Sequence, residues 1–74
     1  MKLTEFKMKP RPIAQEDWLA AGQKARKERE ASGRTIKEVA GAMGISGVYL
    51  SELELGRKAW NEDLAERFTA ALKA

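Results

Sequence analysis

The stretch of residues 35–56, TIKEVAGAMGISGVYLSELELG, constrains the fold of this chain more than any other feature. Its first apolar residues recur at the i, i+3, i+4, i+7 spacing that places them on one helical face: Ile36, Val39, Ala40 and Met43. A second apolar pair, Leu50 and Leu53, follows the segment Gly44-Ile45-Ser46. Glycine can adopt the left-handed conformation that ends a helix, and serine can cap the next helix. The spacing therefore predicts two short helices that meet at a steep angle across a three-residue turn.

The outer ends of these two helices are predicted by residues that cap helices. Thr35 is the expected N-cap of the first helix, and Glu38, three residues later, completes a capping box. The second helix is expected to start at residue 46 or 47 and to run to residue 55, where Gly56 ends it. Both helices therefore have defined starts, and each is followed by a glycine.

Two small residues in the first of these helices have different expectations attached to them. Ala40 lies where the two helices cross, and its short side chain lets them approach closely. Gly41 departs from the good helix formers around it and costs about 1 kcal/mol relative to alanine in a helix interior. No function is assigned to Gly41 from the sequence.

Two further helices are expected to flank this pair. Residues 14–32 contain good helix formers, with an apolar stripe on one face: Trp18, Ala21, Gly22 and Ala25. A last helix from Glu62 to about Leu72 is expected to begin at the cap residue Asn61. Residues 1–12 have no helical or strand period and contain both prolines, so they are expected to form an extended arm. Four basic residues and one acidic residue give this arm a net charge of +3.

The central stretch resembles the Cro/CI-type helix-turn-helix family of phage repressors and bacterial regulators. The family motif runs Ala, Gly and then Tyr-Leu-Ser-x-x-Glu-x-Gly, which stands here as Ala40, Gly44 and the run from Tyr49 to Gly56. The resemblance covers about residues 22–72. It implies an all-α, lambda-repressor-like fold, a compact four-to-five-helix bundle with a central helix-turn-helix. Residues 13–74 would form this DNA-binding domain, preceded by the extended basic arm of residues 1–12.

The resemblance places the base-contacting positions on the second helix of the motif: Ser46, Gly47, Val48, Ser51 and Glu52. Gly47 and Val48 depart from the hydrogen-bonding side chains that often occupy these places in the family. Val48 is suited to contact a thymine methyl group, Ser51 to donate or accept a hydrogen bond, and Glu52 to accept one from cytosine N4. Neither arginine nor lysine is expected to face the groove.

Contacts with the DNA backbone are implied by the same resemblance for residues near both ends of the motif: Arg34, Thr35, Lys37, Tyr49, Arg57 and Lys58. The start of the first motif helix suits a phosphate because free N–H groups and the helix dipole both favour an anion. Two assignments have a structural alternative. Lys37 is equally well explained as a solvated lysine, and Tyr49 as a side chain that packs against the first helix of the chain.

An ion pair is also implied by the resemblance. In the Cro/CI-type family an arginine of the first helix commonly pairs with the glutamate of the motif's ending, and these positions are Arg29 and Glu54 here. Such a pair would tie the first helix to the end of the third. When such a pair is partly buried, removal of one partner leaves the charge of the other without a counter-charge. The alternative is that both side chains are solvated surface charges.

The composition excludes several classes of function. The 74 residues suffice for one small domain, and they include no cysteine and no histidine. Disulfides and the usual cysteine and histidine metal ligands are therefore missing, and the obvious acid-base and nucleophilic constellations cannot be assembled without these residues. No metal, no cofactor and no enzymatic activity are therefore expected. No apolar run approaches the about 20 residues that span a bilayer, and no signal-peptide core is present. No membrane partner and a cytoplasmic location are therefore expected.

Two functions are compatible with these residues. The first is a sequence-specific DNA-binding transcriptional regulator of phage or mobile-element type, a repressor that binds a palindromic operator in double-stranded DNA as a homodimer. The second is an antitoxin or accessory module that uses the same fold mainly to contact a protein partner. Gly47 and Val48 favour the second function. The first is favoured by four residues in one arc: Thr35, Ser51, Arg57 and Lys58.

Overall fold

Four α-helices make up the part of the chain described by the computed structural model, residues 14–73. In chain order they are α1 (Trp18–Ala31), α2 (Ile36–Met43), α3 (Gly47–Glu54) and α4 (Glu62–Lys73). A single turn of 3-10 helix, Gln15–Asp17, precedes α1. The predicted all-α fold with a central pair of short helices is therefore confirmed. The predicted basic arm, residues 1–12, lies outside the described residues.

The predicted capping residues stabilise the start of α2 and the turn between α2 and α3. At the start of α2, the Thr35 hydroxyl accepts a hydrogen bond from the Glu38 N–H at 3.1 Å, and the Glu38 carboxylate accepts one from the Thr35 N–H at 2.9 Å. Gly44 ends α2 with a φ of +80°, in the left-handed region. The Ser46 hydroxyl then accepts a 3.0 Å hydrogen bond from the Tyr49 N–H and caps α3. These bonds satisfy backbone donors that helix ends otherwise leave unpaired.

The end of α3 is closed by backbone and side-chain hydrogen bonds together. Gly56 has a φ of +78°, and its N–H donates to the Leu53 carbonyl at 3.1 Å. The Arg57 N–H donates to the Glu52 carbonyl at 3.0 Å, which completes a Schellman motif. The indole N–H of Trp60 donates to the same Leu53 carbonyl at 3.0 Å. This buried carbonyl therefore has two donors.

Two helix boundaries differ from the predicted ones. α1 begins at Trp18 because the Asp17 N–H bonds to the Ala14 carbonyl at 2.8 Å, three residues back, which makes the preceding turn a 3-10 helix. α3 ends at Glu54, and Leu55 is its C-cap rather than its last residue. A difference of one residue, as at the end of α3, is common at helix ends.

The hydrophobic core lies between the four helices and is closed by the loop that follows α3. The largest of its side chains that are at most 1% exposed are Leu50, Leu53 and Val39. Trp60 and Phe68 meet edge to face with ring centroids 6.1 Å apart, an arrangement that aromatic quadrupoles favour. Asn61 caps α4 by accepting a 2.8 Å hydrogen bond from the Leu64 N–H. The rest of the core consists of small and medium apolar side chains: Ala25, Ala40, Met43, Leu64 and Ala71.

The crossing of α1 over α3 depends on a glycine. A Cβ added at Gly22 would lie 2.5 Å from the Leu53 carbonyl oxygen and 2.6 Å from that of Glu54. Real Cβ atoms essentially never approach other heavy atoms within 3.0 Å. The backbones of α1 and α3 are therefore so close at this point that no other residue fits without a shift.

Candidate nucleic-acid interface

α3 has one buried face and one outward face. Leu50 and Leu53 are fully buried, whereas Val48 is 74% exposed and Ser51 is exposed too. Glu52 lies at the edge of the outward face and is half-buried. Side chains four residues apart share a helical face, so Val48 and Glu52 stand one turn apart on the surface. A short helix whose side chains protrude from a compact body has the dimensions to enter the major groove of DNA.

The start of α3 offers backbone donors where the side chains offer none. Because the Ser46 hydroxyl bonds the Tyr49 N–H, the amides of Gly47 and Val48 stay in the first turn without an intrahelical carbonyl. A Cβ added at Gly47 would lie 3.6 Å from Cγ2 of Ile36, so a side chain at this position would begin beside α2. The contribution of Gly47 to a contact is therefore its N–H group, and that of Val48 is an N–H group and an exposed apolar side chain.

The start of α2 has a similar arrangement next to basic side chains. Thr35 and Glu38 bond each other's N–H groups, which leaves the first-turn amides of Ile36 and Lys37 available to an acceptor. The Lys37 side chain is exposed, and that of Arg34 is half-buried. Amides at a helix start, together with the positive end of the helix dipole, are suited to a phosphate group.

Arg29 and Glu54 form a bidentate ion pair between α1 and the end of α3. The Nε of Arg29 donates to one Glu54 oxygen at 2.8 Å, and Nη2 donates to the other at 3.1 Å. The two side chains are only 12% and 5% exposed. The hydrogen bonds that Arg29 donates to Glu54, and the negative charge of Glu54, raise the pKa of the Arg29 guanidinium above its ordinary value, although burial opposes this effect. The arginine is therefore charged, and its charge is matched at close range.

The same guanidinium also holds the loop that precedes α2. Nη1 of Arg29 donates to the Arg34 carbonyl at 3.0 Å. One side chain thus joins α1, the end of α3 and the residue just before the Thr35 cap. A planar guanidinium with fixed donor directions is suited to such a three-way contact. Arg29 therefore holds the start of α2 and the end of α3 in fixed relative positions.

The other predicted contact residues lie around the ends of α3. Arg57 and Lys58 are exposed and lie in the loop after the Schellman motif. Tyr49 is half-buried and packs against the hydrophobic core. Tyr49 therefore packs on the core, and the basic pair is exposed to solvent.

Two exposed leucines beside α3 were missed by the sequence analysis. Leu55 is 47% exposed and Leu19 is 54% exposed. A Cβ added at Gly56 would lie 2.9 Å from Cα of Leu19, so the start of α1 lies directly over the end of α3. Leu55 could have been found from its spacing, since it follows Val48 by seven residues and Ser51 by four. The exposed side of α3 therefore has an apolar residue at each end.

Other kinds of site find no support in the described chain. Within residues 14–73, acidic residues do not cluster in a group that could hold a metal ion. Over the same residues, none of the helices is both long enough and apolar enough to cross a lipid bilayer.

Comparisons with known proteins agree with this geometry. A family model described as a helix-turn-helix domain matches residues 20–74 of the chain. The clp gene regulator ClgR from Corynebacterium glutamicum is similar in structure, with a TM-score of 0.70 and 36% identity over 89% of this chain and 82% of that one. A second ClgR structure gives a TM-score of 0.72 and 38% identity over 88% of this chain and 66% of that one.

A more distant structure has the same fold. The restriction-modification controller protein C.AhdI from Aeromonas hydrophila has a TM-score of 0.75 and 24% identity, over 80% of this chain and 86% of that one. At this identity the likeness concerns the fold alone. Among curated proteins, none matches the sequence of this chain.

Proposed function

This chain belongs to the helix-turn-helix domain family and has the fold of DNA-binding transcriptional regulators, and we propose that it is a repressor that binds a palindromic operator as a homodimer. The similarity to ClgR, a gene regulator, extends over most of both chains and supports a regulatory function. The proposal includes a cytoplasmic location and the absence of catalytic activity. Repression would follow from occupation of the operator, which blocks access of other proteins.

The observation that supports this proposal most directly is the contact by which Arg29 joins the end of α3 to the loop before α2. Arg29 holds these two segments in one arrangement, so α3 keeps its position relative to the first-turn amides of α2. Contacts to phosphate set the register of a protein on the duplex, and contacts to base edges supply the specificity. The start of α2 is suited to the first task, and the outward face of α3 is suited to the second.

The contacts are proposed to divide between the bases and the backbone. Base contacts come from the outward face and start of α3: Ser46, Gly47, Val48, Ser51 and Glu52. Backbone contacts come from the start of α2 and both ends of α3: Arg34, Thr35, Lys37, Tyr49, Arg57 and Lys58. The four basic side chains in the second set neutralise phosphates, which makes the affinity fall as salt rises.

The small number of polar base contacts requires two copies of the chain for adequate specificity. Only Ser51 and Glu52 offer side-chain hydrogen bonds in the middle of the outward face. Each half-site is therefore read over few base pairs, and a single copy binds weakly. Two copies related by a two-fold axis place their α3 helices in successive major grooves, with half-site centres about 34 Å apart.

The test is a selection of bound DNA from a random double-stranded pool at moderate salt. We expect a palindrome whose half-site centres are about one helical turn apart. If no sequence is enriched over the starting pool, the repressor proposal is wrong.

Two variants then test the division of contacts on the selected site. Glu52→Ala should relax the preference at one base pair by about 1–3 kcal/mol, because it removes an acceptor that reads cytosine. Arg57→Ala should weaken binding to all sequences alike and make the plot of log K against log salt shallower by about one unit, because it removes one phosphate contact. The opposite pattern, in which Arg57→Ala alters base preference and Glu52→Ala does not, would mean that α3 docks in another way.

A second candidate function is supported by the exposed leucines. Leu19 lies beside Gly56 at the end of α3, and Leu19, Leu55 and Val48 are exposed, so the α3 side of the molecule has more apolar surface than phosphate contact needs. An antitoxin or accessory module would use this surface to bind a protein. Leu55→Ser separates the two functions, because it should abolish a protein contact made there and leave the salt slope of DNA binding unchanged.

A further inference from the structure

The outward face of α4 is a regular stripe of four exposed residues. They follow the i, i+3, i+4, i+7 spacing of one helical face: Glu66, Thr69, Ala70 and Lys73. The opposite face of the same helix is buried in the core: Leu64, Phe68 and Ala71. Within residues 14–73 nothing packs over the outward stripe.

The stripe has small side chains at its centre. Over residues 14–73, the residues that line a shallow, open hollow of about 380 Å³ there all belong to α4: Ala65, Glu66, Thr69, Ala70 and Lys73. A second hollow of about 200 Å³ continues from it toward α1 and shares Ala65 and Thr69 as lining residues. Small residues at a helix surface let a second helix approach to the shorter of the usual interaxial distances of about 8–10 Å.

The one polar group in the middle of the stripe already has a partner. The Thr69 hydroxyl donates to the Ala65 carbonyl at 3.0 Å within the same helix. This group can therefore be covered without leaving an unsatisfied donor. The centre of the stripe behaves as an apolar surface toward a docking helix.

The order of residues along the stripe makes it complementary to itself. Along the stripe the residues are acidic, small, small and basic in turn. A reversal of the helix direction exchanges Glu66 with Lys73 and Thr69 with Ala70. We propose that α4 is the homodimer surface, on which the α4 of a second copy packs antiparallel about a two-fold axis between Thr69 and Ala70. An isologous interface uses the same patch on both copies, as this arrangement does.

The charges at the two ends of the stripe are available for this contact. Arg67, on the flank of α4, is paired with Asp63 at 3.0 Å. No such pair within residues 14–73 involves Glu66 or Lys73, which lie two turns apart on their own helix and cannot reach each other. In the antiparallel pair each Glu66 faces the other copy's Lys73, so two opposite-charge contacts form per dimer and exclude the parallel arrangement. The inference rests on the proposed function in that it names the surface by which the proposed homodimer forms.

Charge reversal tests the register of the surface, with the full chain and without DNA. Glu66→Lys and Lys73→Glu each place two like-charge contacts in the dimer, so each should raise the dimer dissociation constant by about tenfold or more in sedimentation equilibrium. The double variant E66K/K73E exchanges the two charges, and its dissociation constant should return to within about threefold of the original. Lys27→Glu, an exposed change of equal charge on α1, is the matched control and should have little effect.

Each outcome has a definite meaning once circular dichroism shows that the variants are folded. Loss of the dimer in both single variants and its recovery in the double variant support the surface. A chain that stays monomeric at submillimolar concentration, single variants that dimerise normally, or a double variant that stays monomeric would overturn it. A dimer that also weakens in the Lys27→Glu control would show a general charge effect and would equally overturn the assignment.

The DNA selection distinguishes failure of this inference from failure of the proposed function. If a palindrome is enriched but the charge-reversal series does not follow the expected order, the protein is a DNA-binding regulator that dimerises elsewhere. If the series follows the expected order but no DNA is enriched, α4 is a homodimer surface in a protein with another function.

Discussion

The two helix crossings that meet at α3 are held by residues of different kinds. At the crossing of α2 and α3, the controlling residues are a capping box, a left-handed glycine and a serine cap, and all of them lie within residues 35–46. At the crossing of α1 and α3, the controlling contacts are the close approach of Gly22 to the Leu53 carbonyl and the ion pair of Arg29 with Glu54. Arg29 and Glu54 are 25 positions apart along the chain.

The two crossings should differ in how much stability is lost when one of their residues is substituted. A cap satisfies one backbone group near solvent, and water can replace it when it is lost. Water cannot compensate in the same way when a buried ion pair is broken or when a Cβ is added between two backbones, because the groups around these sites are already in contact. We therefore expect changes at the α1–α3 crossing to cost more than changes around α2.

Removal of one partner of the buried ion pair should have the largest effect. Glu54→Ala leaves the Arg29 charge almost buried and unpaired, so the free energy of unfolding should fall by about 3 kcal/mol. Out of the about 4–11 kcal/mol expected for a chain of this length, this loss is large. Urea denaturation followed by circular dichroism measures it.

The control for this prediction is the exposed pair between Arg26 and Glu30, whose side chains are 58% and 55% exposed. Glu30→Ala should change the free energy of unfolding by less than about 0.5 kcal/mol. If Glu54→Ala costs as little as Glu30→Ala, the buried pair does not stabilise the crossing and the comparison between the two crossings fails.

Gly22→Ala should have the next largest effect. The added Cβ would lie 2.5 Å from the Leu53 carbonyl oxygen, so α1 must move away from α3. Overpacking of this kind costs about 1–3 kcal/mol, and the better helix propensity of alanine offsets part of it, so we expect a net loss of about 2 kcal/mol. Thermal denaturation of the variant checks the loss, and a melting temperature equal to that of the original chain would contradict the close approach.

Loss of the cap at the start of α2 should cost less. Thr35→Ala removes the hydroxyl that accepts the Glu38 N–H, so the free energy of unfolding should fall by about 1 kcal/mol. Thr35→Ser retains the hydroxyl and should retain most of the stability. Both values come from the same denaturation experiment, and equal losses in the two variants would mean that the cap contributes nothing.

Gly41→Ala should have the smallest effect, and it should be a gain. A Cβ added at Gly41 meets nothing within 4 Å, and its backbone is helical. Alanine should therefore raise the free energy of unfolding by about 0.5–1 kcal/mol, through helix propensity alone. The same substitution thus has opposite signs at Gly22 and Gly41. A loss of stability at Gly41 would show that α2 has a contact that this structure lacks.

Much of the candidate site could be predicted because its features depend on near neighbours in the sequence. The capping box of Thr35 and Glu38, the turn at Gly44 and the cap at Ser46 each involve residues within a few positions, and helical spacing places Val48 and Ser51 on the outward face. The role of Tyr49 could not be decided, since packing and phosphate contact both fit its position in the helix. Its half-buried ring became evident only with the core assembled.

The sequence by itself determined the helices, their caps and the face of α3 that meets solvent, because each follows from periodicity and local hydrogen bonding. The Arg29–Glu54 pair was implied by family resemblance, but its third bond to the Arg34 carbonyl was not. Only the tertiary structure decided that bond, the closeness of α1 and α3 at Gly22 and the second donor of the Leu53 carbonyl, the Trp60 indole. These contacts join residues far apart in the chain, and their geometry exists only when the packed helices fix the distance between them.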